Sequence, residues 1–385
     1  MGRRKLKKWV IPTAVILVIA LIAGGIGIAS LFSNSDTPSE VPGTTQNQQE
    51  STTPKPDTDN DNVTTNPTDG NKPTESKDAI KGYVNTFSGY TSLFAANGGN
   101  TTKDGSNFDK AGLNIEINIE DNDDNIIRAF QNGEIQFFAM TVNKMALVSK
   151  QLEDNGIQTV MPFFLDTSTG GDGIITDASV KNIADLKNVT IGMAKNSVST
   201  AIPVWFLNES GLSEDEVQTI VNNFKLYDST QEAVDAFLSG EVGAVSTWNI
   251  SGALERENSH VLVSTATAEY LDIDGIVFNK KFAEEHKDEI LSMMDAILTT
   301  VNDINNGVNL QEYYDGIRQA VPDFSDYSND DMTSEISYAK FLGFNGNLGA
   351  LDVANHIYTD FCQVWSQLGY QTNPDYKLID DSYIV

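Results

Sequence analysis

Between residues 81 and 278 short apolar runs alternate with amphipathic helical stretches, and this alternation limits the fold more than any other feature of the chain. Residues 81–87 read as a strand of mixed pattern. Residues 113–119 alternate apolar and polar side chains, the period of a half-exposed strand. Residues 124–132 place Ile126, Ile127 and Phe130 on one helical face, and Gly133 closes that helix. A buried strand at 135–140 follows, then a helix at 143–154 ended by Gly156. One strand at 157–165 then leads into Asp166. Further on, Ser213 and Glu216 form a capping box, 224–227 is a strand, 230–238 an amphipathic helix and 242–247 a buried strand. Apolar runs at 261–264 and 275–278 flank an irregular stretch. Strands alternating with helices point to parallel sheets. From Lys280 the pattern is helical almost to Leu368, and the tail 369–385 is irregular.

Residues 168–200 concentrate the signals of a binding site. A Gly170-Gly171-Asp172 turn precedes the apolar pair Ile174-Ile175, a short helix occupies 183–187, and a strand at 189–193 runs into Ser197, Ser199 and Thr200. Hydroxyls between a strand and an apolar helical run (201–207) read as a helix N-cap. Such a terminus either caps its helix and nothing more, or seats a carboxylate, sulfonate or phosphate on its free N–H groups.

The string GGDGIITDASVKNIADLKNVTIGMAKNSVST resembles a segment of the solute-binding proteins of ABC importers, in the nitrate, sulfonate, taurine and thiamine-precursor group. SGYTSLFAANG (88–98), AFQNGEIQFFAMTVN (129–143) and EAVDAFLSGEVGAVSTWN (232–249) resemble other parts of that family in the same order, over roughly residues 81–300. The resemblance implies an α/β, two-lobed type II periplasmic-binding-protein fold with two hinge crossovers. Lobe one would take about 78–174 and 276–385, and lobe two about 175–275. It further implies capture of a small molecule between the lobes and delivery to an ABC permease, with no catalytic residue, no metal and no cofactor. A ligand-sensing or scaffold ectodomain of the same fold is the alternative, and an enzyme like the family's pyrimidine-synthesising relatives is a third.

Candidate ligand contacts sit at family-matching positions or at strand ends, where α/β sheets bind ligands. They are Ser88, Gly89, Tyr90, Thr141, Asn143, Gly170, Gly171, Asp172, Ser197, Ser199, Thr200, Trp248 and Asn249. Tyr90 either meets the ligand or packs as a core tyrosine, and Trp248 either walls the pocket or fills the core. Asp172 either pairs with an amine, as Asp274 would, or braces the glycine turn.

Arginine is scarce (Arg3, Arg4, Arg128, Arg256, Arg318), so an anionic ligand would lean on backbone N–H groups and hydroxyls; a neutral or cationic ligand is the other reading. The histidines, His260, His286 and His356, form no His-x-x-x-His pair, and no Cys-x-x-Cys exists. His356, beside apolar residues, reads as a core histidine and Cys362 as a buried thiol.

The chain carries 25 Lys+Arg against 54 Asp+Glu, a net charge of −29, which argues against a nucleic-acid partner. Its basic residues cluster in the tail 1–8, ahead of the 24 uncharged positions 9–32. That run is long enough to span a bilayer, and the basic cluster orients it with the tail in the cytoplasm. The expectation is a single-pass anchor with the folded body outside the cytoplasm; a long signal peptide cut near Gly27 is the alternative. Residues 33–77 are polar and proline-bearing, a composition that cannot bury a core and reads as a tether to the solute-binding domain at 78–385.

Overall fold

The computed structural model describes residues 78–384; the tail, anchor and tether read from the sequence lie outside the described residues. Twelve strands appear among the described residues: β1 (Ile80–Val84), β2 (Ile115–Ile119), β3 (Phe137–Thr141), β4 (Thr159–Val160), β5 (Phe164–Ser168), β6 (Gly173–Thr176), β7 (Ile191–Ala194), β8 (Phe224–Tyr227), β9 (Ala244–Thr247), β10 (His260–Ser264), β11 (Ile273–Asn279) and β12 (Ala339–Phe341). They form two sheets. The first runs β12-β5-β11-β3-β1-β2, with β4 also paired to β11; the second runs β10-β6-β9-β7-β8. Each sheet is covered by helices on both faces, which makes the molecule a two-lobed α/β protein.

Side-chain chemistry explains the placement. β3 reads Phe-Phe-Ala-Met-Thr and is buried on both faces except at Thr141, as expected of a strand between two helical layers. Phe137 lies in one core with helices Thr91–Asn97, Lys287–Asn305 and Leu310–Ala320. Phe138 lies in the other, with helices Val142–Asp154 and Phe344–Gln367. Burying either ring is worth about 1.5–3 kcal/mol.

The local readings at helix starts hold. Thr141 accepts from Lys144 N, Ser197 from Ser199 N, and Ser213 forms a complete capping box with Glu216. Helix Thr230–Leu238 has the expected limits.

Several expectations need correction. Both sheets are mixed: β11 lies antiparallel to β3 and β5, and β6 antiparallel to β9 and β10. The single strand read at 157–165 is two, β4 and β5, broken around Pro162, which has no N–H to give a ladder. Residues 183–188 form a 3-10 turn rather than an α-helix. The long helical stretch after Lys280 is interrupted by β12, which pairs antiparallel with β5. His356 stands exposed on its helix instead of in the core.

The chain passes between sheets twice, through residues 169–172 after β5 and 265–272 before β11. The two crossovers are bonded to each other. Thr265 Oγ1 accepts from Gly170 N at 3.0 Å, and Thr265 N donates to Asp172 O at 2.9 Å. Ser168 N donates to Asp272 O at 2.9 Å. Gly170 has φ 114°, a conformation open mainly to glycine, and it lets the first crossover lie 3.3 Å from Ala266.

Candidate functional site

Strand ends and crossovers together deliver four buried aspartates to one place. Asp166 on β5 faces Asp274 on β11 directly across the antiparallel pair, and Thr141 on β3 faces Asp274 from the other side. Asp272, two residues before Asp274, lies in the second crossover, and Asp172 lies in the first. All four are at most 5% exposed.

Polar neighbours supply part of what buried carboxylates need. Tyr90 Oη donates to Asp274 Oδ1 at 2.5 Å. The Thr141 hydroxyl donates to Asn143 Oδ1, and Asn143 Nδ2 in turn donates to Asp272 Oδ1 at 2.6 Å. Asn143 is held by Trp365, whose indole N–H donates to the Asn143 carbonyl at 3.0 Å. Ser168 Oγ lies 3.3 Å from Asp172 Oδ2. Both oxygens of Asp166 and Oδ1 of Asp172 have no donor. Among the described residues no ion pair reaches any of the four.

The electrostatic result follows. Burial, reinforced by the charge of Asp272, holds the Asp166 and Asp172 carboxyls well above the usual carboxylate range. Burial, with the charges of Asp166 and Asp272, does the same to Asp274 against the opposing Tyr90 hydrogen bond. Burial also raises Asp272, while hydrogen bonds from Asp172 and Asn143 pull it down. Asp166 with Asp274 and Asp172 with Asp272 are neighbours that can share a proton, since two buried carboxylates side by side do not both ionise readily.

The first-lobe residues expected from the sequence converge here. Ser88, Gly89 and Tyr90 form a buried 3-10 turn after β1, with Gly89 packed on the Asp166 carboxylate so closely that a Cβ there would stand 2.3 Å from Oδ2. Tyr90 is 2% exposed and Asn143 fully buried. Gly170, Gly171 and Asp172 line the first crossover, and Asp172 both touches Ser168 and belongs to the aspartate group.

The second-lobe residues form a separate set. Ser197 caps helix Val198–Glu209, Thr200 Oγ1 donates to Ala194 O at 2.5 Å, and the buried Ser199 hydroxyl has no partner. Asn249 caps the short helix Ile250–Ala253. Trp248 does not fill a core; it is 58% exposed. Thr247 pairs with Gly173, so Trp248 continues that register to the level of Asp172.

Asp166, Ser168, Thr265 and Asp272 were not among the expected site residues. The available signal was aspartate inside buried runs, Phe-Leu-Asp-Thr and Leu-Asp-Ile-Asp.

The lobes also meet beside helix Val198–Glu209, whose Ala201, Ile202 and Val204 join the core of Met145, Ala146 and Phe361. Asn196, at φ 53°, is gripped from the first lobe by the Lys144 ammonium and by Tyr370 Oη at 2.5 Å. Lys144 also pairs with Asp123 at 3.1 Å. Arg128, Arg256 and Arg318 are engaged elsewhere, with Asn125, with Asp177 and with the Tyr327 carbonyl. His260, His286 and His356 lie on separate elements. Among the described residues no group of three or more His, Cys, Asp or Glu is arranged to hold a metal ion. Two surface pockets, of about 430 and 280 Å³, share no residue with the aspartate group.

A family model described as NMT1/THI5 like matches residues 102–306. The chain belongs to that family. No curated protein matches the sequence. Solved structures share the fold of this NMT1/THI5-like chain at low identity. The periplasmic aliphatic sulphonate binding protein of Escherichia coli aligns with TM-score 0.57 and 14% identity, over 80% of this chain and 100% of that one. A ligand-binding component of an ABC-type import system from Staphylococcus aureus, solved with zinc bound, gives 0.56 and 11% over 80% and 98%. A Candida albicans gene product with the generic periplasmic binding protein fold gives 0.52 and 12% over 77% and 98%.

Proposed function

We propose that this chain is the solute-binding component of an ABC import system. Held outside the cytoplasm by an N-terminal anchor, it closes two lobes on a small molecule and hands it to a permease. The observation that carries this reading is the family match over residues 102–306 on a two-lobed fold whose crossovers converge on a buried polar site. Neighbouring structures described as sulphonate-binding and import-system components, covered over nearly their whole length, support it. The uncharged run 9–32 supports the anchor. The candidate contacts in both lobes would make closure and binding one equilibrium, because a ligand touching both lobes favours the closed state.

The test is uptake. Cells lacking this chain are expected to lose import of the solute it binds, and restoring the chain restores import. Binding in vitro with unchanged import would favour the second reading, a ligand-sensing ectodomain. The long tether at 33–77 speaks for that alternative.

A further inference from the structure

We propose that the cleft selects a small organic cation, a protonated amine, amidine or N-heterocycle, and rejects the anions named for its structural neighbours; this rests on the solute-binding reading above. The geometry is the reason. Asp166, Asp172, Asp272 and Asp274 meet where both crossovers enter the first sheet, each at most 5% exposed. A buried carboxylate without a counter-charge costs several kcal/mol, or else keeps its proton. A group of four is retained at that cost when something positive completes it.

Asp166 points to what is missing. It is wholly buried, its carboxylate is pressed between Gly89 and Asp274, and neither oxygen receives a hydrogen bond. Oδ1 of Asp172 is likewise without a donor. These are acceptors, and the nearby Tyr90 and Asn143 donors are already given to Asp274 and Asp272. An anion would add charge to a site that already has too much of it.

Independent support comes from the second lobe. Trp248 exposes its ring at the level of Asp172, where a cation could lie on its face. The buried hydroxyls of Ser199 and Ser246 have no partner and can accept from a ligand N–H. No arginine is placed at the site, and Lys144 is held by Asp123 and Asn196. The arrangement holds no metal-binding group of three carboxylates, which favours a ligand with several separated N–H donors over a bare ion.

The experiment uses the full-length chain in mild detergent, unfolded and refolded to strip carried-over solute. Melting is followed with 1,4-diaminobutane, guanidine and 4-aminopyridine on one side, and ethanesulfonate and nitrate on the other, with zinc and calcium chloride as metal controls. A cation at a hundredfold excess over its Kd is expected to raise the midpoint by about 5 °C. Asp166→Asn is expected to melt higher than wild type without ligand yet lose the response, a combination that a purely structural aspartate would not give. Asp274→Asn serves if Asp166→Asn does not fold. A shift with ethanesulfonate or nitrate and none with the cations overturns the cation assignment and leaves solute binding standing. A shift with zinc or calcium alone overturns the organic part. Silence across every probe, together with unchanged solute import in cells lacking the chain, overturns this inference and the transport reading together.

Discussion

The Tyr90 hydroxyl donates to Asp274 Oδ1 over 2.5 Å, with neither side chain more than 2% exposed. Tyr90 comes from the turn after β1 and Asp274 from the strand that returns the chain to the first lobe, so one bond ties the opening strand to the second crossover. Tyr90→Phe removes the donor and keeps the ring against Phe87. A hydrogen bond to a charged buried group contributes about 1.5–3 kcal/mol, and a neutral one about 1 kcal/mol. Urea unfolding is expected to show a loss near 2 kcal/mol at pH 7.5 and a smaller one at pH 5, where Asp274 keeps its proton.

The four raised aspartates fix the sign of a pH effect. Their native pKa values lie above the unfolded ones, so above about pH 4 the native state binds more protons than the unfolded chain. Their contribution to stability therefore falls as pH rises from that point through the raised native values. Ligand-free protein is expected to lose stability from these groups between pH 5 and 7.5. Asp166→Asn flattens the slope relative to wild type, and urea midpoints of the two proteins at both pH values measure the difference. A steeper slope in the variant would contradict the assignment.

Gly89 is fixed by what it touches. An added methyl would stand 2.3 Å from Asp166 Oδ2 and 2.5 Å from the Phe87 ring. Gly89→Ala must move the carboxylate or the turn, and overpacking of this kind costs about 1–3 kcal/mol. Calorimetry is expected to show a lower melting midpoint, with weaker binding of whatever solute the wild type takes.

Between the lobes, Asn196 is held by Tyr370 and Lys144. Tyr370→Phe removes one of these contacts from the closed arrangement. The loss is about 1 kcal/mol, which weakens solute binding roughly fivefold if closure and binding are coupled. Titration calorimetry gives the affinity, and single-molecule distances between labels on the two lobes give the closed fraction. Unchanged values for both would show that the contact does not bias closure.

Much of this architecture was legible because its signals are local. Helix Thr230–Leu238 and the Ser213–Glu216 box depend on residues three or four apart, and the apolar period fixes the strands. β12 was hidden because three residues, Ala339–Phe341, carry no period of their own and become a strand through pairing with β5. The candidate site divides the same way. Ser88 to Tyr90, Thr141 and Asn143 could be placed from strand ends. Asp166 and Asp272 could not, since a lone aspartate in an apolar run looks like a strand terminus until register sets it opposite another. That register joins residues more than one hundred positions apart. Trp248 misled in one respect: an aromatic after a buried strand suggests packing, yet the chain turns there and leaves the ring in solvent.

Asp172 and Asp272 sit within the two segments that connect the lobes, and those segments are bonded to each other through Thr265 and Ser168. The parts that would recognise a guest are then also the parts that bend. Choice of cargo and stiffness of the joint are inherited as a single trait. A variant that acquires a new diet by changing either aspartate must also accept a new rhythm of opening and closing.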